Sequence, residues 1–157
     1  MTTTPEERLT QLALTLPPAP KPMATYATAV RHQDLLYISG HGPLRPDGSY
    51  VVGKLGADLE LAAGRDAARL TGLAVLATLK SQLGSLDRVV RVIKVFGLVN
   101  STPDFTAQPQ VIDGFSDLMV QVFGDAGRAA RSAVGAASLP VGIAVEIEAV
   151  FAIVDRP

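Results

Sequence analysis

The chain has 157 residues and a formal net charge of −1, which fits one domain with its own core and provides no basic field for a phosphate backbone. It has no cysteine, which excludes a disulfide framework, zinc–thiolate sites and thiol catalysis. Residues are 48% hydrophobic and 18% charged, more apolar than a monomer's surface requires, which favours subunit interfaces.

Thr4-Pro5-Glu6-Glu7 predicts a short helix, with Thr as cap, Pro at the first position and acids in the first turn. The Pro-rich run from Pro17 to Pro22 ends it in an extended linker, so residues 1–22 read as an outer helix plus linker and 23–157 as the main domain. The segment has acids before its short apolar run and no basic leader, unlike a secretory signal. Uncharged stretches such as Ser132 to Val145 are too short, and too broken by Gly and Pro, for a membrane span. A cytoplasmic location is expected.

Tyr26 to Arg31 and Leu35 to Ser39 read as two strands, and Arg45-Pro46-Asp47-Gly48 as a turn. A long helix is expected from about Asp58 to Leu83, where Ala and Leu recur at three and four, with Gly84 as its cap. Its alanines permit close approach to a sheet. Arg88 to Val99 reads as a central strand, and a second helix runs from Phe105 or Gln110 to Phe123. The order β-β-α-β-α-β-β predicts an α+β domain with helices on one side of a mixed sheet.

Ala129 to Val150 reads as two strands around Leu139-Pro140-Val141-Gly142. On the second, Val145, Ile147, Ala149 and Phe151 share one face, Glu146 and Glu148 the other. A plain hairpin would leave Arg131 opposite Phe151 and roughly 17 Å from Glu146. The two can share a site only if the connection is not a hairpin or a second subunit contributes. From the strand alone, Arg131 is either a bidentate carboxylate anchor or an arginine paired with Glu146, Glu148 or a helix acid. Glu146 and Glu148 have equal claims as a proton acceptor by pattern.

The ordered set Tyr26, Tyr37-Ile38-Ser39-Gly40, Gly84-Ser85-Leu86-Asp87-Arg88-Val89-Val90, Ala-Arg-Ser-x-Val at 130–134, Leu-Pro-x-Gly at 139–142 and Val-Glu-Ile-Glu-Ala at 145–149 resembles the RidA/YjgF family of reactive-intermediate deaminases, endoribonuclease L-PSP-like proteins among them. The likeness covers about residues 20 to 154. It implies the YjgF/chorismate-mutase-like fold, here with an added N-terminal helix packed outside, and a homotrimer with three inter-subunit clefts. It further implies hydrolysis of 2-imino or enamino acids to 2-oxo acids and ammonia, without cofactor or metal. Arg131 would then hold the substrate carboxylate and Glu146 would relay a proton from water. Glu148 is left as structural. Tyr26 would line the pocket, Ser39, Gly40 and the Ala133 backbone would contact the ligand, and Phe105 would supply an apolar wall from a neighbouring subunit.

Two positions depart from that pattern. His41 stands where the family commonly has Gln, and either titrates in the pocket or fills space. Asp113 stands where an asparagine is usual, and its charge disfavours an anionic substrate. These departures favour an alternative reading, a non-catalytic trimer that binds a small carboxylate. Endoribonuclease activity is a third reading, and the near-neutral charge argues against nucleic acid as partner. His32 and His41 lack metal-binding spacing.

Overall fold

A computed structural model of the chain describes residues 3–155; the outer limits expected at residues 1 and 157 lie beyond these. The elements are α1 (Pro5–Gln11), β1 (Ala29–His32), β2 (Leu35–His41), α2 (Leu61–Leu83), β3 (Val89–Asn100), α3 (Gln108–Phe123), β4 (Ala130–Ala136) and β5 (Val145–Ile153). Five strands form one mixed sheet in the order β1-β2-β5-β3-β4. Only β3 and β4 run parallel, joined through α3 because a parallel return needs a crossover.

The period-two pattern decides which face of the sheet is covered. Val145, Ile147, Ala149, Phe151 and Ile153 of β5 are buried with Val92, Val95 and Val99 of β3, and α2 and α3 pack over that face. Glu146, Glu148, Phe96 and Leu98 point to the opposite face, which carries no helix among the described residues. Helix α2 is buried through its middle, at Ala67, Ala68, Ala74, Ala77 and the leucines 76 and 79, with residues near both ends exposed. It ends at Gly84, φ +80°, whose N–H donates to the Lys80 carbonyl. It packs tightly on α3, where a Cβ on Gly114 would strike the Arg65 carbonyl.

Helix α1 does more than lie on the outside. Thr4 and Glu7 form a capping box, and Leu9 joins the main core at 6% exposure. The Glu6 carboxylate accepts from Lys80 Nζ at 2.7 Å and from the Leu86 N–H at 2.9 Å.

The strands of the 129–150 stretch do not form a hairpin. β3 lies between them, parallel to β4 and antiparallel to β5. The connection crosses the end of β3 through a short 3-10 turn at Pro140–Gly142, and the Asn100 N–H donates to the Ala144 carbonyl there. Twelve residues rich in Val and Ile give β3 two edges to pair, so it accepts a partner on each side.

Candidate functional site

A cleft of about 540 Å³ opens on the helix-free face, around Glu146. Its floor comes from β2, whose register with β5 shifts between Ile38 and His41, so that Ser39 and Gly40 leave regular pairing. Ser39 is held on both sides of its backbone: its N–H donates to the Thr28 carbonyl, and its hydroxyl to the Ala27 carbonyl at 2.6 Å. These bonds fold the segment before β1 across the cleft, where Lys21, Met23 and Tyr26 form one wall. Tyr50, Val141 and Ile143 form the other. Tyr26 is 46% exposed, a cleft residue and not part of the core.

Glu146 stands against Gly40. An added Cβ there would collide with the Glu146 carboxylate, whose Cδ lies 2.9 Å from that position. Glycine is therefore required for its space, not its dihedrals. Burial first, and the neighbouring Glu148 carboxylate second, push the Glu146 carboxyl above the ordinary glutamate range.

His41 lines the cleft through its main chain, but its imidazole is turned into the core at 4% exposure. Nδ1 lies 2.6 Å from the Ser39 carbonyl and Nε2 2.7 Å from the Thr78 hydroxyl of α2. A carbonyl only accepts, so Nδ1 carries the proton and Nε2 accepts from Thr78. Burial holds the ring below the usual histidine range, against the two backbone hydrogen bonds at Ser39 and Gly40. The side chain thus fastens the Ser39–Gly40 bulge to α2.

Arg131 is elsewhere. It pairs with Val95, on the helix-covered face of the edge strand β4, while Glu146 pairs with Leu98 on the open face. Two strand spacings and three residues along β3 separate their Cα atoms by about 14 Å, and β3 stands between. The guanidinium instead meets one stripe of α3. Nη1 donates to Asp113 Oδ1 at 2.9 Å and to the Ser116 hydroxyl at 3.1 Å, and Nη2 to the Pro109 carbonyl at 3.4 Å. Residues 109, 113 and 116 recur at four and three, hence on one helix face. The pairing with a helix acid is one that the strand alone had left open.

Ala133 lies on β4 opposite Gly97, against the core, and Phe105 is partly buried beside Gly56 just before α3. One chain therefore brings together Tyr26, Ser39, Gly40, His41 and Glu146, and separately Arg131 and Asp113. Glu148, read from sequence as structural, lines the same cleft as Glu146 and influences its proton affinity. Of the wall at residues 20–28, the sequence pattern assigns Pro20 to Pro22 to a linker and starts a strand at Tyr26, whereas β1 begins only at Ala29 and Tyr26 lies in the wall before it. Its signal is weak, because only hydrogen bonds to Ser39 and the main chain around it fold that segment over.

Comparison with known proteins accords with this architecture. The family model described as "YjgF/chorismate mutase-like, putative endoribonuclease" matches residues 6–152. Protein TCP17 of Trypanosoma cruzi is 44% identical over 142 residues, 90% of this chain and 89% of that protein. A "putative endoribonuclease" from Shewanella oneidensis MR-1 superposes with a TM-score of 0.92 at 30% identity, covering 96% of this chain and 99% of that one. RidA from an Antarctic Psychrobacter superposes with a TM-score of 0.61 at 25% identity, over 86% of this chain and 94% of that one. With a family model spanning nearly its whole length and the same fold in these relatives, the chain belongs to the YjgF/RidA family.

Proposed function

We propose that the protein hydrolyses reactive 2-imino or enamino acids to 2-oxo acids and ammonia, in clefts formed between subunits of a homotrimer. The observation that carries this reading is the Glu146 carboxyl, desolvated at the floor of an open cleft with Gly40 clearing its space.

The chemistry needs few groups. A protonated imine carbon is already electrophilic, so water adds to it as a Glu146 carboxylate accepts one water proton. The resulting carbinolamine keeps the C–N bond. Returning the proton to nitrogen makes ammonia the leaving group and the C–N bond breaks; the oxygen's second proton passes to the Glu146 carboxylate as the carbonyl forms, and from there to ammonia, which leaves as ammonium. Arg131 holds the substrate carboxylate. Because Arg131 and Glu146 lie on opposite faces of one sheet, the reading requires that one subunit supply the anchor and the next the relay. The helix-free face supports such an assembly, since it leaves Val30, Tyr37 and Val134 at 55%, 44% and 42% exposure.

A carboxylate-binding assembly without turnover is the second reading, favoured by the Asp113 carboxylate already on Arg131. Ribonuclease action, the activity in the Shewanella relative's name, fits the cleft less well. Its described lining sets Glu146 and Glu148 against one lysine, Lys21, which would repel a phosphodiester.

Subunit mixing tests the proposal. An amino-acid oxidase generates the imine, semicarbazide traps what remains, and Arg131→Ala and Glu146→Gln are assayed alone and after co-refolding. Each alone is expected to be inactive. Random mixing in equal amounts should restore about a quarter of wild-type activity, since a quarter of two-subunit clefts then join an intact Arg131 to an intact Glu146. No recovery, with wild type active, would refute the shared cleft.

A further inference from the structure

We infer that Asp113 makes the Arg131 anchor selective for net-neutral, zwitterionic acids over net anions, so that a protonated 2-imino acid is admitted and the 2-oxo acid product is held weakly. This rests on the reading of Arg131 as the carboxylate anchor.

A guanidinium has five N–H groups. Asp113, Ser116 and Pro109 accept three, two from Nη1 and one from Nη2. The Nε–H and one Nη2–H have no acceptor among the described residues, which leaves donors for one incoming carboxylate. Arg131 keeps 23% of its side-chain surface exposed, and Asp113 39%. The pair is covered enough to be held in place and open enough to be reached.

Local charge sums to zero. Arg65 is taken up by Asp117 at 2.9 Å and reaches Asp113 Oδ2 only at 4.0 Å, so two cations face two carboxylates across α2, α3 and β4. An arginine alone would attract any anion, whereas the pair offers a net anion a donor edge with a carboxylate behind it. A zwitterion gains at both ends. Its carboxylate meets the free N–H groups, and its iminium or ammonium N–H can turn toward Asp113 Oδ2, which no cation among the described residues approaches closer than Arg65. The selectivity is therefore electrostatic and independent of side-chain size.

Calorimetric titration of the intact assembly with pyruvate and with alanine, a stable zwitterion of matching size, tests this. Asp113→Asn retains an oxygen for the Nη1–H, so the guanidinium stays placed while one negative charge is removed. In that variant pyruvate should bind about five- to tenfold more tightly, with alanine unchanged or bound more weakly. Arg131→Ala should abolish binding of both. If Arg131→Ala abolishes binding but Asp113→Asn leaves the pyruvate-to-alanine ratio unchanged, the selectivity role is wrong and the anchor stands. If Arg131→Ala binds both probes as wild type does, the anchor and the selectivity fall together.

Discussion

The Glu146 carboxylate occupies the space that a Cβ on residue 40 would need, so the identity of one position on β2 determines where an acid on β5 can stand. Gly40→Ala should leave the fold nearly intact, because the far end of a glutamate side chain can swing aside. The displaced carboxyl then loses its position over the cleft. Imine turnover is expected to fall by about 100-fold, the lower range for removing a proton relay, with thermal unfolding close to wild type. Full activity in Gly40→Ala would show that Glu146 need not stand there.

The raised proton affinity of Glu146 also affects stability. Below the ordinary glutamate range the carboxyl is protonated in both folded and unfolded chains, and nothing is lost. As pH rises through that range the unfolded chain releases its proton while the folded one, desolvated and beside Glu148, retains it. Stability therefore falls until the folded value is passed. Glu146→Gln should be more stable than wild type at pH 7, with the difference vanishing as pH drops below about 4. Urea denaturation at several pH values would read this directly.

His41→Ala removes a ring that satisfies the Ser39 carbonyl and the Thr78 hydroxyl, the latter only 1% exposed. The loss should be about 2–4 kcal/mol, from the cavity and the unpaired buried groups together. His41→Gln, which keeps a donor and an acceptor, should recover much of it. As pH falls through the usual histidine range, the unfolded chain takes up a proton that the buried ring resists. Wild type should lose stability there and His41→Gln should not. Equal slopes in the two proteins would count against the buried neutral ring.

Gly114→Ala should be the most damaging of these changes. The added methyl meets the Arg65 backbone carbonyl, which cannot swing away, so α2 and α3 must separate. A cost of about 3 kcal/mol or more is expected from overpacking between helices, visible as a lowered thermal midpoint. Because α3 carries Asp113 and Ser116, the placement of Arg131 should loosen with it.

Glu6 ties α1 to the domain through Lys80 and the Leu86 N–H. Burial opposes ionisation of Glu6, but these partners outweigh it and hold the carboxyl below the ordinary range. Its contribution is therefore present above that range and lost as pH falls through the folded value. Glu6→Gln should cost about 1 kcal/mol, discounted for partial exposure, and should expose the 5–20 segment to protease sooner. Unchanged cleavage would mean that Leu9 alone docks the helix.

What the chain determines by itself is what depends on near neighbours. The two-residue alternation on β5 separates Val145, Ile147 and Ala149 from Glu146 and Glu148, because successive side chains must point to opposite faces. Thr4, Gly84 and Gly124 mark helix ends, because unpaired backbone groups need a cap or a left-handed residue there. The helix and strand order follows from these periods.

Tertiary structure decided the rest. Nothing local states that β3 separates β4 from β5; strand order depends on which edges remain free once α3 has crossed over. The inward turn of His41 depended on a threonine 37 residues away, and the Arg131 partner on a helix face 15 to 22 residues earlier. Residues 20–28 became a cleft wall through bonds made to β2. In each case the side chain's chemistry was legible in the sequence, but its surroundings came from distant segments brought together by burial of the common core.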